Sequence, residues 1–290
     1  MSDLVFTTHD APELKSCNAV FLAVPHTAAM AQVPALLAAG VSCFDLSADY
    51  RLSDPSVFEA WYAAEHTSPE LLKTRAFGLP ELFCRDLETA ASSHAAGKPV
   101  LVACAGCYPT ATSLAAAPAV RAGWVAENGP VIVDAISGVT GAGKSCNART
   151  HFCSADENLE AYGVGKHRHT PEIEQILGLT DRVVFTPHLA PLRRGLLSTV
   201  TMPLAPQTLD TLALEDVVDH YKKFYAGRTF VRVLDAGQQP KTASVSAPSC
   251  PDWPCAQQAC GRAGGDGCYR QFVQGCCGPG GPVRQHRFWL

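Results

Sequence analysis

The sequence predicts an α/β chain, parallel in its first half and more antiparallel in its second. Three observations predict it. Short apolar, β-branched runs alternate with alanine-rich or amphipathic helical stretches as far as Val120, the pattern of a parallel sheet with crossover helices. From Pro130 onward strands outnumber helices, which argues for an α+β half. The chain has 290 residues, 47% of them hydrophobic, enough for two domains or one large one with a real core.

In order, residues 19–24 read as a buried strand ended by Pro25 and His26, and residues 27–40 as a helix stopped by Gly40. Residues 41–45 are the next strand, followed by a polar loop, 46–51. Residues 57–64 read as a helix and 77–81 as a turn. The run Val100-Leu-Val-Ala103 is a strand that enters a small-residue turn with Cys107 at its tip. Tyr108-Pro109-Thr110 then opens an alanine-rich helix to Val120; Pro109 suits a first helical turn, where its missing N–H costs nothing. In the second half, 130–136, 182–186, 195–202 and 229–234 read as strands and 214–225 as an amphipathic helix.

Composition narrows the function classes. A net charge of −4 and a pI near 6.2, without a basic stripe, argue against a nucleic-acid partner. No apolar run approaches the roughly 20 residues of a membrane span, and Met1-Ser-Asp-Leu4 does not open a signal peptide; a cytoplasmic chain without a membrane partner is expected. There are 13 cysteines. Cys17, Cys43, Cys84, Cys104, Cys107, Cys146 and Cys153 are scattered, and only Cys104 and Cys107 have CxxC spacing, so no zinc or other metal site is predicted.

Cys107 is the candidate nucleophile. Where a strand gives way to a helix N-terminus, open backbone N–H groups and the helix dipole stabilise a thiolate and a developing oxyanion. A buried structural cysteine is the alternative. Lys166-His-Arg-His-Thr-Pro-Glu172 sets His167 and His169 around Arg168, candidates for a general base and an anion clamp. His188 and Arg194, in Phe185-Thr-Pro-His-Leu-Ala-Pro-Leu-Arg-Arg-Gly195, are candidate ligands for a carboxylate or phosphate. Gly138-Val-Thr-Gly-Ala-Gly-Lys-Ser145 fits the phosphate-cradling P-loop pattern after a strand. Its mid-chain position and the lack of a later apolar strand ending in Asp weigh against a P-loop NTPase. They leave a glycine-rich turn whose amides approach a cofactor or substrate phosphate.

Taken together, Gly106-Cys-Tyr-Pro-Thr110, Ser137-Gly-Val-Thr-Gly-Ala-Gly143, His167-Arg-His-Thr-Pro-Glu172 and His188-Leu-Ala-Pro-Leu-Arg-Arg-Gly195 resemble the N-acetyl-γ-glutamyl-phosphate reductases of arginine biosynthesis, relatives of aspartate-semialdehyde dehydrogenase. Asp45-Leu-Ser-Ala-Asp-Tyr-Arg-Leu52 and Phe77-Gly-Leu-Pro-Glu81 also match, and the resemblance runs from about Ala19 to Val245. It implies a Rossmann-like NAD(P)-binding domain, residues 1–107, incomplete because its first βα units and G-x-x-G-x-x-G turn are missing. A glyceraldehyde-3-phosphate-dehydrogenase-like catalytic and dimerisation domain, 108–245, follows. It implies that Cys107 attacks an acyl phosphate and forms a thioester that NADPH reduces to the semialdehyde, with His167 or His169 as base. The resemblance also implies substrate contacts from Ser137, Arg168, His188 and Arg194. Pro25, Ser47, Gly138, Gly141 and Gly143 are implied for the NADP cofactor, and a homo-oligomer, dimer or tetramer, is expected. A catalytically dead remnant of the same family, or a faulty gene assignment, is the alternative. Residues 246–290, rich in Cys, Gly, Pro and Gln, leave the family pattern and are expected to be disordered. Read one nucleotide later, the codons of residues 267–282 permit the family's C-terminal helix motif, so a shifted frame is the favoured account of that tail.

Overall fold

The computed structural model describes residues 6–143, 145–209, 211–242, 256–263 and 269–274, in two compact units that part between Ala105 and Gly106. That boundary lies two residues before the expected one. The first unit is built on four parallel strands, β1 (Ala19–Leu22), β2 (Ser42–Asp45), β3 (Ala76–Gly78) and β4 (Leu101–Cys104), in the order β1-β2-β4-β3. Its helices are α1 (Ala28–Ala38), α2 (Pro55–Tyr62) and α3 (Cys84–Ala95). Met30, Val33, Leu36, Cys43, Tyr50, Phe58 and Leu101 form one core. Within it, burial pushes the Cys43 thiol up to about 12, which makes this cysteine a small hydrophobe rather than a reactive group.

Two details differ from the sequence reading. Phe77 and Gly78, expected as the start of a turn, instead continue from Ala76 as an edge strand on β4, Ala76 opposite Val102 and Phe77 opposite Ala103; tertiary pairing overrides the local Gly-Leu-Pro signal. The polar side chains at the end of β2 and in the loop after it, Asp45, Ser47, Asp49 and Arg51, are buried. The loop serves as the missing cap of α1. Thr27 sits in the left-handed region with no side-chain cap of its own, and Asp49 accepts the Thr27 and Met30 amides at 2.8 and 3.0 Å. A carboxylate at a helix N-terminus is favourable to the dipole as well as to the orphan amides. The Arg51 guanidinium fixes the loop by donating to the carbonyls of Cys104 and Leu46.

The second unit begins with α4 (Cys107–Arg121) and carries a mixed sheet of β5 (Val131–Gly138), β6 (Glu160–Ala161), β7 (Val183–Ala190), β8 (Leu196–Pro203), β9 (Val231–Val233), β10 (Ala256–Ala263) and β11 (Tyr269–Gln274). The order is β6-β7-β5-β8-β11-β10-β9. β5 runs parallel to β7 and antiparallel to β8, as the α+β expectation requires. Its helices after α4 are α5 (Phe152–Ala155), α6 (Thr170–Leu177), α7 (Pro206–Leu209) and α8 (Leu214–Phe224). From Ala111 to Ala119 every residue of α4 is buried, which explains an alanine-rich helix with little amphipathicity. Pro118 lacks an N–H, so the Leu114 carbonyl loses its helical partner; the Tyr225 hydroxyl donates to that carbonyl.

β10 and β11 fall inside the segment expected to be disordered. They pair with each other, and β11 pairs antiparallel with β8 from Tyr269 opposite Pro203 to Gln274 opposite Ser198. Backbone pairing at the edge of β8 uses N–H and C=O groups that every residue carries, so a sequence without hydrophobic periodicity still joins the sheet. The remaining residues from 243 onward, and with them most of the shifted-frame segment, lie outside the described residues.

Candidate active site

The site assembles around the first turn of α4. Gly106 is the N-cap, with extended backbone at φ −67° and ψ 162°. Cys107 is the first helical residue, and its side chain is exposed. A nucleophile needs that combination: open to substrate, and beside the positive end of a fifteen-residue helix. The alternative of a buried structural cysteine is set aside for Cys107, while Cys43 fits that description.

Tyr108, the next residue, is buried and organises what surrounds the sulfur. The rings of His167 and His169 meet it edge-on at centroid distances of 5.8 and 6.0 Å and lie 4.9 Å from each other. Phe185 supports Tyr108 and His167, each at 5.1 Å. The Tyr162 hydroxyl donates to that of Tyr108 at 3.1 Å, and Tyr108 donates weakly to the His188 carbonyl at 3.4 Å. Both phenols are held above their ordinary range, chiefly by burial, and a charge on Cys107 raises each further. The sulfur is therefore an electrostatic neighbour of both.

The two imidazoles are not equivalent. The backbone N–H of His169 donates to Nδ1 of His167 at 3.1 Å, which leaves the ring proton of neutral His167 on Nε2. Burial, helped by the Arg168 charge, pushes the His167 pKa down to about 4. Neutral near pH 7, with its proton on Nε2 and its Nδ1 lone pair already engaged, His167 is a poor proton acceptor. His169 is the N-cap of α6.

The other expected contacts are distributed unevenly. Ser137, near the end of β5, is buried, and its hydroxyl donates to the Gly138 carbonyl at 3.1 Å. Arg168 and Arg194 are exposed. His188 meets Tyr108 by its carbonyl alone. Along β7 side chains alternate, so its imidazole lies on the sheet face opposite Phe185, where Nδ1 is 3.2 Å from the Ala135 carbonyl. The substrate role expected of its ring gains no support from this placement.

The P-loop reading fails on its hydrogen bonds. The Gly138, Val139 and Thr140 amides donate to the carbonyls of Gly195, Leu192 and Arg193, and Gly143 donates to Thr140. Amides already satisfied within the protein do not cradle a phosphate. Two of the glycines allow close approach: a Cβ on Gly138 would lie 2.6 Å from the Leu192 oxygen, and one on Gly141 would lie 2.7 Å from Ser137 Oγ, whereas Gly143 has open space around it. In the first unit, Pro25 is exposed just beyond β1, and Leu46 is exposed just beyond β2. This crest at the carboxyl ends of neighbouring parallel strands is where nucleotides bind such sheets. Ser47 is turned inward: its amide donates to Asp45 and its hydroxyl accepts the Asp49 amide.

Sequence profiles divide the chain in the same way. That of the semialdehyde dehydrogenase dimerisation domain matches residues 107–254, and that of the semialdehyde dehydrogenase NAD-binding domain matches residues 1–90. The N-acetyl-γ-glutamyl-phosphate reductase of Symbiobacterium thermophilum is 45% identical over 248 residues, 84% of this chain and 67% of that protein. The chain belongs to the N-acetyl-γ-glutamyl-phosphate reductase family. A second member, from Halorhodospira halophila, is 42% identical over 83% of this chain and 66% of its own length; the chain spans about two thirds of these reductases. Solved structures agree on the fold. Aspartate semialdehyde dehydrogenase II from Vibrio cholerae superposes with a TM-score of 0.63 at 11% identity, over 91% of this chain and 75% of that one. The Candida albicans aspartate semialdehyde dehydrogenase solved with NADP superposes at 0.60 and 12% identity, over 89% and 72%. The dimerisation profile runs nine residues past Val245, into the segment the sequence set apart from the family.

The sequence reading missed the roles of Tyr162, Phe185 and Glu172 around the nucleophile. Only Glu172 left a local signal, a glutamate three residues into a helix, and a histidine at the N-cap instead of Ser, Thr, Asp or Asn concealed it.

Proposed function

We propose that the protein is an NADP-dependent oxidoreductase that reduces N-acetyl-γ-glutamyl phosphate to N-acetylglutamate 5-semialdehyde and releases phosphate, the reductive step of arginine biosynthesis. The observation that carries the reading is an exposed cysteine at a helix N-terminus, with two imidazoles packed on the residue beside it. A homo-oligomer, dimer or tetramer, fits the dimerisation profile of the second half, and a cytoplasmic location goes with the biosynthetic role proposed.

In this mechanism Cys107 Sγ attacks the acyl carbon, the C–O bond to phosphate breaks, and a thioester forms. The helix N-terminus stabilises first the thiolate and then the oxyanion of the tetrahedral adduct. His169 is the proton-transfer group. His167, kept neutral, donates from Nε2 and holds the pair in register through the His169 amide. Arg168 and Arg194 draw the anionic substrate in. Pro25 and the crest beside it would hold the nicotinamide nucleotide, which would supply hydride when bound. Collapse of the thiohemiacetal frees the aldehyde and returns the proton to the Cys107–His169 pair.

The test is Cys107→Ser. Its alkoxide is far less accessible at neutral pH than a thiolate, so reduction of the acyl phosphate and the reverse, phosphate-dependent oxidation of the semialdehyde are both lost. A Cys107→Ser protein turning over like wild type would refute the mechanism.

A further inference from the structure

Glu172 is a buried carboxyl, 1% exposed, that the chemistry above leaves unused. It is the third residue of α6, the position from which a glutamate ordinarily reaches back to the N-cap amide of its own helix. Here Oε1 accepts the N–H of Gly106 at 2.8 Å, and Gly106 is the N-cap of α4, a different helix. Half of a capping box is thereby shared between two helices that pack on each other. One of them opens with the nucleophile. The other is preceded immediately by His167 and His169. We propose that Glu172 is a positioning residue, fixing the start of α4 against the start of α6 and so setting where the Cys107 sulfur points relative to the two imidazoles. The Gly106 residue is buried, so its amide depends on a protein acceptor to stay in place. A carboxylate aimed at the peptide just before the nucleophile acts on the one backbone segment whose rotation swings the sulfur. This inference rests on Cys107 being the nucleophile, and it assigns no contact between Glu172 and substrate.

The experiment compares Glu172→Ala, which removes the acceptor, with Glu172→Gln, which keeps a side-chain oxygen at the same reach. The first readout is the rate of iodoacetamide alkylation of Cys107 at neutral pH, resolved by peptide mass spectrometry. Exposed Cys17 and Cys153 in the same molecules serve as controls. Thermal melting and the protection of buried Cys43 report that the chain is folded. The second readout is the split between kcat and KM for the acyl phosphate. Misplacement of a reacting group by about 1 Å costs on the order of 10²-fold, so Glu172→Ala is expected to lower kcat by about that factor with KM nearly unchanged. It should also slow alkylation of Cys107 while the control cysteines keep their rates, and Glu172→Gln should restore both readouts most of the way. Unchanged Cys107 alkylation in a folded Glu172→Ala protein, or a Glu172→Gln protein as impaired as Glu172→Ala, would overturn the assignment. If the wild-type chain fails to reduce the acyl phosphate, the functional reading falls, and the alkylation rates alone still decide the role of Glu172.

Discussion

At the residue scale the site separates two histidines that the sequence presents as a symmetric pair around Arg168. The separation comes from one backbone amide, the His169 N–H donating to His167 Nδ1, together with the burial of the His167 ring. The same arrangement makes a prediction about pH. With a folded pKa of about 4 against an ordinary 6.5, the native state keeps His167 neutral while the unfolded chain protonates it, so between these values the unfolded state binds more protons. Stability that His167 allows above pH 6.5 is therefore lost as pH falls toward 4 and changes no further below it. Replacing His167 by Asn removes that contribution. The expected outcome is a shallower loss of stability over this interval, measured by urea unfolding at a series of pH values; identical slopes for the two proteins would show that the ring is not held neutral. Activity distinguishes the pair as well. His169→Asn should abolish the rise of kcat/KM with pH that a base produces, whereas His167→Asn should lower the rate and leave the shape of the profile.

At the scale of elements, α4 shows how a helix with one internal proline, Pro118, and few large side chains holds its place. The Leu114 carbonyl freed by Pro118 accepts from Tyr225, and the Ala115 carbonyl accepts from Tyr221 at 2.7 Å, so α8 and its C-cap residue meet the backbone of α4 with phenol hydroxyls. Tyr225→Phe leaves a buried carbonyl without that donor and should destabilise the second unit by about 1–3 kcal/mol, read from the urea midpoint at unchanged m. Gly138→Ala tests the turn after β5. Its Cβ would meet backbone, not a flexible side chain, at the Leu192 oxygen, and a forced backbone shift of this kind costs about 1–3 kcal/mol. A P-loop role would instead show as altered ATP binding with stability intact. These elements also mark what the sequence makes legible. Strands β1, β2, β4, β5, β7 and β8, helices α1, α4 and α8, and the placement of Cys107 follow from apolar runs, glycine stops and the proline of a first turn. β3 does not, because its three residues become a strand only through pairing with β4. Nor does the inward turn of Ser47, which depends on Asp45 and Asp49 being buried beside it. Nor does the face of β7 on which the His188 ring lies, because a motif gives residues in order and omits the strand alternation that sends neighbouring side chains to opposite faces.

At the scale of the whole molecule the two units divide the labour. Cys107, Tyr108, Ser137, Tyr162, His167, His169 and Glu172, the groups that would make and orient the acyl bond, all belong to the second unit. The NAD-binding profile belongs to the first. Forming the thioester needs a thiolate, a proton-transfer group and a departing phosphate, and none of these comes from the nucleotide. Acylation should therefore proceed without it. Mixed with N-acetyl-γ-glutamyl phosphate and no nicotinamide nucleotide, the protein is expected to release a burst of phosphate approaching one per chain, followed by a slower phase as water hydrolyses the thioester. Cys107→Ser should show no burst. Mass spectrometry of acid-quenched protein should place the added acyl group on the peptide that contains Cys107. Should phosphate appear only when NADPH is present, in a protein that reduces the acyl phosphate normally, then the second unit does not hold its nucleophile ready by itself, and nucleotide binding must complete the site before the carbon–sulfur bond can form.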